Sequence, residues 1–239
     1  MHLIKLFIGI SSFFWVHTLE EDSTNSFNKL YPILNEYIRE FPRELRNIPE
    51  ERRYRLNEIV YFLADQYSGN SSGQVLFIST SEASIGQMAS AWSKAAAYYF
   101  GFKNFQAYSG GLKPEKITEN TIISLEKAGF IVYKSTSSGM DQYRIKYSYN
   151  LDPLVSFPKK LDHSRNPSNN YMAVVLDKNA DMNINDIRGT YNRLFLDYED
   201  PSGYQGAVVE SAKYDETCRR IAVEMFYVFS QLKKRLEDS

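Results

Sequence analysis

The chain is poor in the residues that carry metal and redox chemistry. Its 239 residues include one cysteine, Cys218, and three histidines, His2, His17 and His163. A single cysteine excludes an internal disulfide, a zinc site built on cysteines and a redox cycle between two thiols of one chain. Two of the histidines lie near the amino terminus and the third lies in a polar stretch. We therefore expect no metal site and no cofactor.

A strong charge of either sign is also missing. The formal net charge is −1 at pH 7, whereas an extended nucleic-acid footprint needs a basic surface. Beyond the first 16 residues, no segment is apolar over the length of about 20 residues that a membrane helix needs. Hydrophobic residues make up 43% of the chain and charged residues 24%, which is typical of a folded globular protein. We expect neither a nucleic-acid partner nor a membrane partner.

The first residues affect the predicted location of the protein. Lys5 precedes a short apolar run over residues 6–16, and an acidic stretch follows at 20–22. This order resembles a secretory signal, and the run is too short to span a bilayer. Residues 1–18 are therefore predicted to be a signal peptide, and the protein to be secreted or periplasmic. The alternative is a cytoplasmic protein whose first segment packs on the domain, because residues 16–18 lack the usual small-residue cleavage pattern.

The rest of the chain divides into two parts. Residues 25–70 are predicted to be a helical extension, since apolar side chains recur there at helical spacing and Pro49 suits the start of a second helix. Residues 73–239 show short apolar runs alternating with amphipathic stretches, which is typical of an α/β domain with a mainly parallel sheet. The stretch 131–170 is less regular, with an edge strand expected over 143–147. We expect strands over 75–78, 105–108, 173–176 and 193–196, and helices over 87–100, 118–127 and 210–236.

Small residues connect the first of these strands to the helix after it. A loop of this kind can cradle an anion, because its amides and the helix amino terminus both present hydrogen-bond donors. Strand, loop and helix alone are an unspecific signal, since every α/β fold contains several such units. We call residues 79–86 the loop.

The string around the loop is more specific. Residues 75–92 resemble the phosphate-binding segment of the low-molecular-weight tyrosine phosphatases and thioredoxin-type arsenate reductases, in which a nucleophilic cysteine is followed by five residues, an arginine and a serine. The resemblance covers residues 28–234 and includes the helical extension of a bacterial branch. It implies a phosphotyrosine phosphatase I-like fold, a three-layer α/β sandwich with a four-stranded parallel sheet in the order 2-1-3-4. Four further segments carry the resemblance: 107–111, 123–131, 198–201 and 214–229.

The loop departs from the family at the positions that carry the chemistry. Ser79 stands at the position of the cysteine, and a serine hydroxyl is not an activated nucleophile unless a base is supplied. Ile85 stands at the position of the arginine, where losing one such electrostatic contact costs about 3–4 kcal/mol of transition-state stabilisation. Gly86 replaces the serine, and Glu82 replaces an asparagine and would add negative charge to an anion site. The complete loop is Ser79, Thr80, Ser81, Glu82, Ala83, Ser84, Ile85 and Gly86.

One family position is retained. Asp200, followed by Pro201, stands where the resemblance implies the general acid. Its alternative role is a turn that orders the segment before the last helix. Arsenate reduction by the family mechanism is not expected, because that mechanism relays electrons through further cysteines. Cys218 is predicted to be a small buried apolar residue of the last helix.

Three hypotheses follow. The first is a catalytically impaired member of the family that acts by binding a protein or a small-molecule ligand, with at most a weakly bound oxyanion. The second is a phosphomonoester or phosphotyrosine hydrolase whose chemistry has moved to Asp200 and Ser79. The third is an interaction protein in which the loop is merely inherited. The second hypothesis requires a base within hydrogen-bond reach of Ser79.

Overall fold

A computed structural model describes residues 30–137 and 139–239. The predicted signal peptide, residues 1–18, lies outside these residues. The described residues form helices and strands in the order α1 Pro32–Tyr37, α2 Phe41–Asn47, α3 Glu50–Ser68, β1 Gln74–Ser81, α4 Ile85–Tyr99, β2 Gln106–Lys113, α5 Glu119–Ala128, β3 Ile131–Ser137, β4 Met140–Lys146, β5 Leu154–Ser156, β6 Tyr171–Val175, α6 Lys178–Asn183, β7 Thr190–Phe195 and α7 Glu210–Glu237. Short 3₁₀ helices cover Ile38–Glu40 and Pro201–Tyr204.

A four-stranded parallel sheet forms the centre of the domain. Its strands lie in the order β2-β1-β6-β7, and all neighbouring pairs are parallel. Counted along the chain, these four strands give the predicted order 2-1-3-4. The central strands β1 and β6 are almost entirely buried, as expected for parallel strands covered on both faces.

Helices cover both faces of this sheet. Successive side chains of a strand point to opposite faces. Val75 and Phe77 pack in a large core together with α3, α4 and α7. Leu76 and Ile78 pack in a smaller core with Ala180 of α6. The predicted three-layer α/β sandwich is therefore confirmed.

The helical extension belongs to the larger core. Phe41 of α2 is buried, and its ring lies 5.0 Å from that of Phe226 on α7. The first half of the extension is not one regular α-helix, because α1 ends at Tyr37 and α2 begins at Phe41 after a 3₁₀ turn. Pro42 explains the break, since proline is tolerated in the first turn of a helix but not in its interior. None of the described helices is both long enough and apolar enough to span a membrane.

A second, antiparallel sheet occupies the stretch that was difficult to predict. Its order is β3-β4-β5, with β3 and β4 joined through Gly139 at φ +76°. The strand expected over 143–147 exists as part of β4. Its predicted place at an edge was wrong, because β4 pairs with strands on both sides. Its second partner, β5, has only three residues. A strand that short gives no periodic signal in the sequence.

Candidate functional site

The loop lies at the carboxyl end of β1, where parallel α/β sheets commonly bind ligands. β1 is longer than expected, because Ser79 and Ser81 still pair with Gly111 and Lys113 of β2. The amide of Glu82 then donates to the Lys113 carbonyl over 3.1 Å. Since α4 begins at Ile85, only residues 82–84 lie outside regular structure. The first half of the loop is extended strand rather than a curved cradle.

Ser79, at the position of the nucleophile, is inaccessible. Its exposed fraction is 0%, and its hydroxyl donates to the Ser81 carbonyl over 2.7 Å. Within the described part of the chain, this is the only hydrogen bond of the hydroxyl, so no side-chain base contacts it. A hydroxyl held in this way is not activated for attack.

The loop amides bind protein atoms. The Thr80 amide donates to Oδ2 of Asp177 over 2.6 Å, and the Ala83 amide donates to Oγ of Ser81 over 3.2 Å. With the Glu82 amide bound to the Lys113 carbonyl, the amides of Thr80, Glu82 and Ala83 all have internal acceptors. An anion cradle needs such amides free and convergent. The amides of Thr80, Glu82 and Ala83 are therefore not available to an anion.

Ile85, at the position of the arginine, is part of the protein core. It is fully buried at the start of α4 and packs in the large core. Burying an isoleucine side chain contributes about 1.5–3 kcal/mol. The residue at this position therefore stabilises the domain where the family residue would bind phosphate.

Asp200 reaches the loop, but it contacts Ser84 rather than Ser79. Its Oδ1 accepts a hydrogen bond from the Ser84 hydroxyl over 2.8 Å and another from the Ser202 amide over 3.0 Å. The second bond caps the 3₁₀ helix that begins at Pro201. The carboxylate thus orders the turn before α7, and it also fastens that turn to the loop.

A buried ion pair beneath the loop was not predicted. Oε1 of Glu82 accepts from Nε2 of Gln87 over 2.7 Å and lies 3.5 Å from Nζ of Lys159. Nζ of Lys159 also donates to Oγ of Ser109 over 3.2 Å. Burial raises the pKa of Glu82 to about 7, although the Lys159 ammonium opposes this rise. The negative charge expected in the anion site therefore points into the protein, where it has a cationic partner.

Lys159 could not be identified from the sequence. It follows β5 in an irregular segment, 77 residues after Glu82 along the chain. No periodicity or motif links two positions so far apart. A buried charge at position 82 implies some partner, but only the fold shows which one.

The other candidate residues lie away from the loop. Cys218 is buried, accepts a hydrogen bond from Nε1 of Trp92 over 3.2 Å, and has a thiol pKa raised by burial to about 12. The prediction of a buried apolar role for it is confirmed. The His163 ring lies 5.4 Å from that of Phe157. In residues 30–137 and 139–239, no three His, Cys, Asp or Glu side chains are grouped closely enough to hold a metal ion.

Arsenate reductases are among the solved structures to which the chain is similar. No protein-family model matches the sequence, and no curated protein matches it. The arsenate reductase of Archaeoglobus fulgidus DSM 4304 is 17% identical over 68% of this chain and 98% of its own, with a TM-score of 0.40. An arsenate reductase in the oxidized state is 15% identical over 66% and 98%, with a TM-score of 0.44. The thioredoxin-dependent arsenate reductase of Corynebacterium glutamicum is 19% identical over 79% and 71%, with a TM-score of 0.38.

Proposed function

We propose that the protein is a catalytically impaired relative of the low-molecular-weight tyrosine phosphatases and arsenate reductases, and that it acts by binding. The observation that supports this most directly is the state of Ser79, which is fully buried and donates its hydroxyl proton to the Ser81 carbonyl. A phosphatase of this kind needs an accessible nucleophile facing a bound phosphate. Here the residue at that position is part of the sheet.

The cleft beside the loop supports the same proposal. A cavity of about 660 Å³ lies between the segment after β2, the turn at Ser202 and the start of α7. Lys116 is one cation on its wall, but the carboxylates of Glu119 and Glu210 also line it. Two negative charges against one positive charge disfavour a phosphate ester. The cleft is large enough for part of a protein partner or a small molecule.

Turnover of an aryl phosphate over a broad pH range tests the proposal. We expect no saturable hydrolysis by the wild-type protein and no change in Ser79→Ala. The matched control is Ser90→Ala, which removes another buried serine hydroxyl, one that donates to the Gln87 carbonyl of α4. Saturable activity that is lost in Ser79→Ala and kept in Ser90→Ala would refute impaired catalysis.

One contact favours a second candidate, a hydrolase with relocated chemistry. The Ser84 hydroxyl and the Asp200 carboxylate form a hydrogen-bonded pair at the loop, although the pair predicted from the sequence was Ser79 with Asp200. A hydrolase built on Asp200 would lose turnover in Asp200→Asn. Equal background rates for wild type and Asp200→Asn would exclude it.

A further inference from the structure

A segment of chain crosses the end of β2 beside the loop. We call residues 157–161 the strap. The Gly111 amide donates to the Lys159 carbonyl over 3.0 Å, and the Leu161 amide donates to the Gly111 carbonyl over 3.1 Å. These two bonds pair the strap with β2 and bring the Lys159 side chain towards Glu82.

The crossing depends on two consecutive glycines. A Cβ atom at Gly110 would lie 2.7 Å from Cα of Leu161, and one at Gly111 would lie 2.7 Å from the Glu82 amide nitrogen. Both distances are shorter than the closest approach of carbon to backbone atoms in folded proteins. Since the atoms involved are backbone, they cannot move aside as a flexible side chain can. The strap and the loop therefore meet only because positions 110 and 111 lack side chains.

The Glu82 side chain depends on a third glycine. A Cβ atom at Gly86 would lie 3.2 Å from Oε2 of Glu82 and 3.2 Å from Oγ of Ser79. Among the described residues, this Oε2 has no hydrogen-bond partner, so Glu82 is held through Oε1 alone. That oxygen is bound by Gln87 on α4 and by Lys159 on the strap.

The charge on Glu82 depends on Lys159. Both side chains are shielded from water, with exposed fractions of 0% and 7%. Isolated charges are strongly disfavoured in such surroundings, so each ion needs the other. Among the described residues, the pair of Glu82 and Lys159 is the ion pair that joins the strap to the loop. Breaking it leaves a buried charge without a partner on either side.

We propose that Glu82 and Lys159 form a lock between the strap and the loop, which holds the loop in its closed, self-bonded conformation. This proposal rests on the proposed function, because it names what keeps the loop closed in a protein that binds rather than hydrolyses. Lys159 is a positioning residue, since it acts on the loop through Glu82. The lock is separate from the loss of the cysteine and the arginine, because Glu82 and Lys159 stand at neither of those positions.

A double-mutant cycle measures the lock. The variants are Lys159→Met, Glu82→Gln and the pair together, unfolded by heat at about pH 8. We expect Lys159→Met to lower Tm by about 10 °C, because it leaves the Glu82 carboxylate without a cation. The double variant should lose clearly less than the sum of the two single losses. Lys160→Met is the matched control, because Lys160 is exposed and next in the chain, and its Tm should change by at most about 2 °C.

Amide hydrogen exchange shows whether the effect is local. In Lys159→Met, we expect the amides of Glu82 and Ala83 to exchange at least about tenfold faster, and more strongly accelerated than those of α7. Lys160→Met should leave both groups unchanged. Additive Tm losses in the cycle, or acceleration that is equal in the loop and in α7, would overturn the lock. Aryl phosphate turnover by the wild-type protein would instead refute the proposed function and leave both measurements valid.

Discussion

Introducing into the loop the residues that the sequence resemblance assigns there should destabilise the protein rather than create an enzyme. The triple substitution Ser79→Cys, Ile85→Arg and Gly86→Ser places the nucleophile, the arginine and the serine of the family in the loop. If the domain were an intact phosphatase scaffold, this variant would hydrolyse an aryl phosphate. The contacts of the three positions lead to a different expectation.

The largest penalty comes from Ile85. Its side chain is fully buried, so removing it forfeits about 1.5–3 kcal/mol of apolar burial. An arginine at the same place also buries a charge, for which the effective penalty is several kcal/mol unless it finds a partner. At Gly86, the new Cβ atom presses on Glu82 and Ser79 at 3.2 Å, which adds about 1–3 kcal/mol for overpacking. The sum is on the order of 5 kcal/mol or more, against a typical total stability of about 5–15 kcal/mol.

Urea unfolding and aryl phosphate turnover, measured on the same preparations, test this expectation. The triple variant should lose at least about a third of the free energy of unfolding and show no saturable turnover. Ser79→Cys alone is the control, because sulfur for oxygen is a small change and should cost about 1 kcal/mol. A triple variant that keeps wild-type stability, or that hydrolyses the ester with saturation, would contradict this expectation. It would show that the loop opens readily and that the contacts around Ile85 and Gly86 contribute little stability.

Three further predictions concern pH, the extension and the amino terminus. Burial raises the pKa of Glu82 from 4.5 to about 7. Between those pH values the folded state therefore holds more protons than the unfolded state, and the free energy of unfolding falls as pH rises. Measured by urea titration, the wild type should be up to about 3 kcal/mol less stable at about pH 8 than at about pH 5, relative to the same difference in Glu82→Gln. Arg52→Met breaks the partly buried pair in which Nη2 of Arg52 lies 2.8 Å from Oε2 of Glu224. Because Arg220 still pairs with Oε1 of Glu224, the loss should be about 1–3 kcal/mol in the same assay, below the cost of a fully unpaired buried charge, whereas the exposed Arg55→Met should cost less than about 0.5 kcal/mol. Mass spectrometry of exported protein should show a mature chain that begins near residue 19, and an intact amino terminus would refute the predicted signal peptide.

Local patterns account for the parts of the fold that were predicted correctly. The apolar runs at 75–78 and 173–176 are continuous, which is typical of strands buried on both faces. The amphipathic periodicity of α7 is visible within one segment for the same local reason, and the sequence of α4 is rich in good helix formers. The parallel order 2-1-3-4 came from the resemblance, because periodicity identifies strands but does not order them. The structure confirms both the strands and their order.

Contacts between distant segments account for the parts that were missed. β1 runs on through Ser81 because β2 offers partners at Gly111 and Lys113, and a serine-rich string gives no sign of this in the sequence. The pairing of Glu82 with Lys159 depends on the path of the strap, which no local pattern encodes. Asp200 illustrates the intermediate case. Its turn was visible as Asp-Pro, but its bond to Ser84 appears only after folding.

The contacts of the loop are those of a stable packed segment rather than of an open phosphate site. Catalytic residues often conflict with stability, because an open phosphate site leaves donors unpaired and charges partly buried. In this chain several of those groups have partners: Thr80 donates to Asp177, Ser84 donates to Asp200, and Ile85 adds apolar burial. Among the described residues, Oε2 of Glu82 has none. The contacts that stabilise this loop also occupy groups that could otherwise bind a phosphate. Binding by this protein is therefore better sought on the cleft beside the loop than inside it.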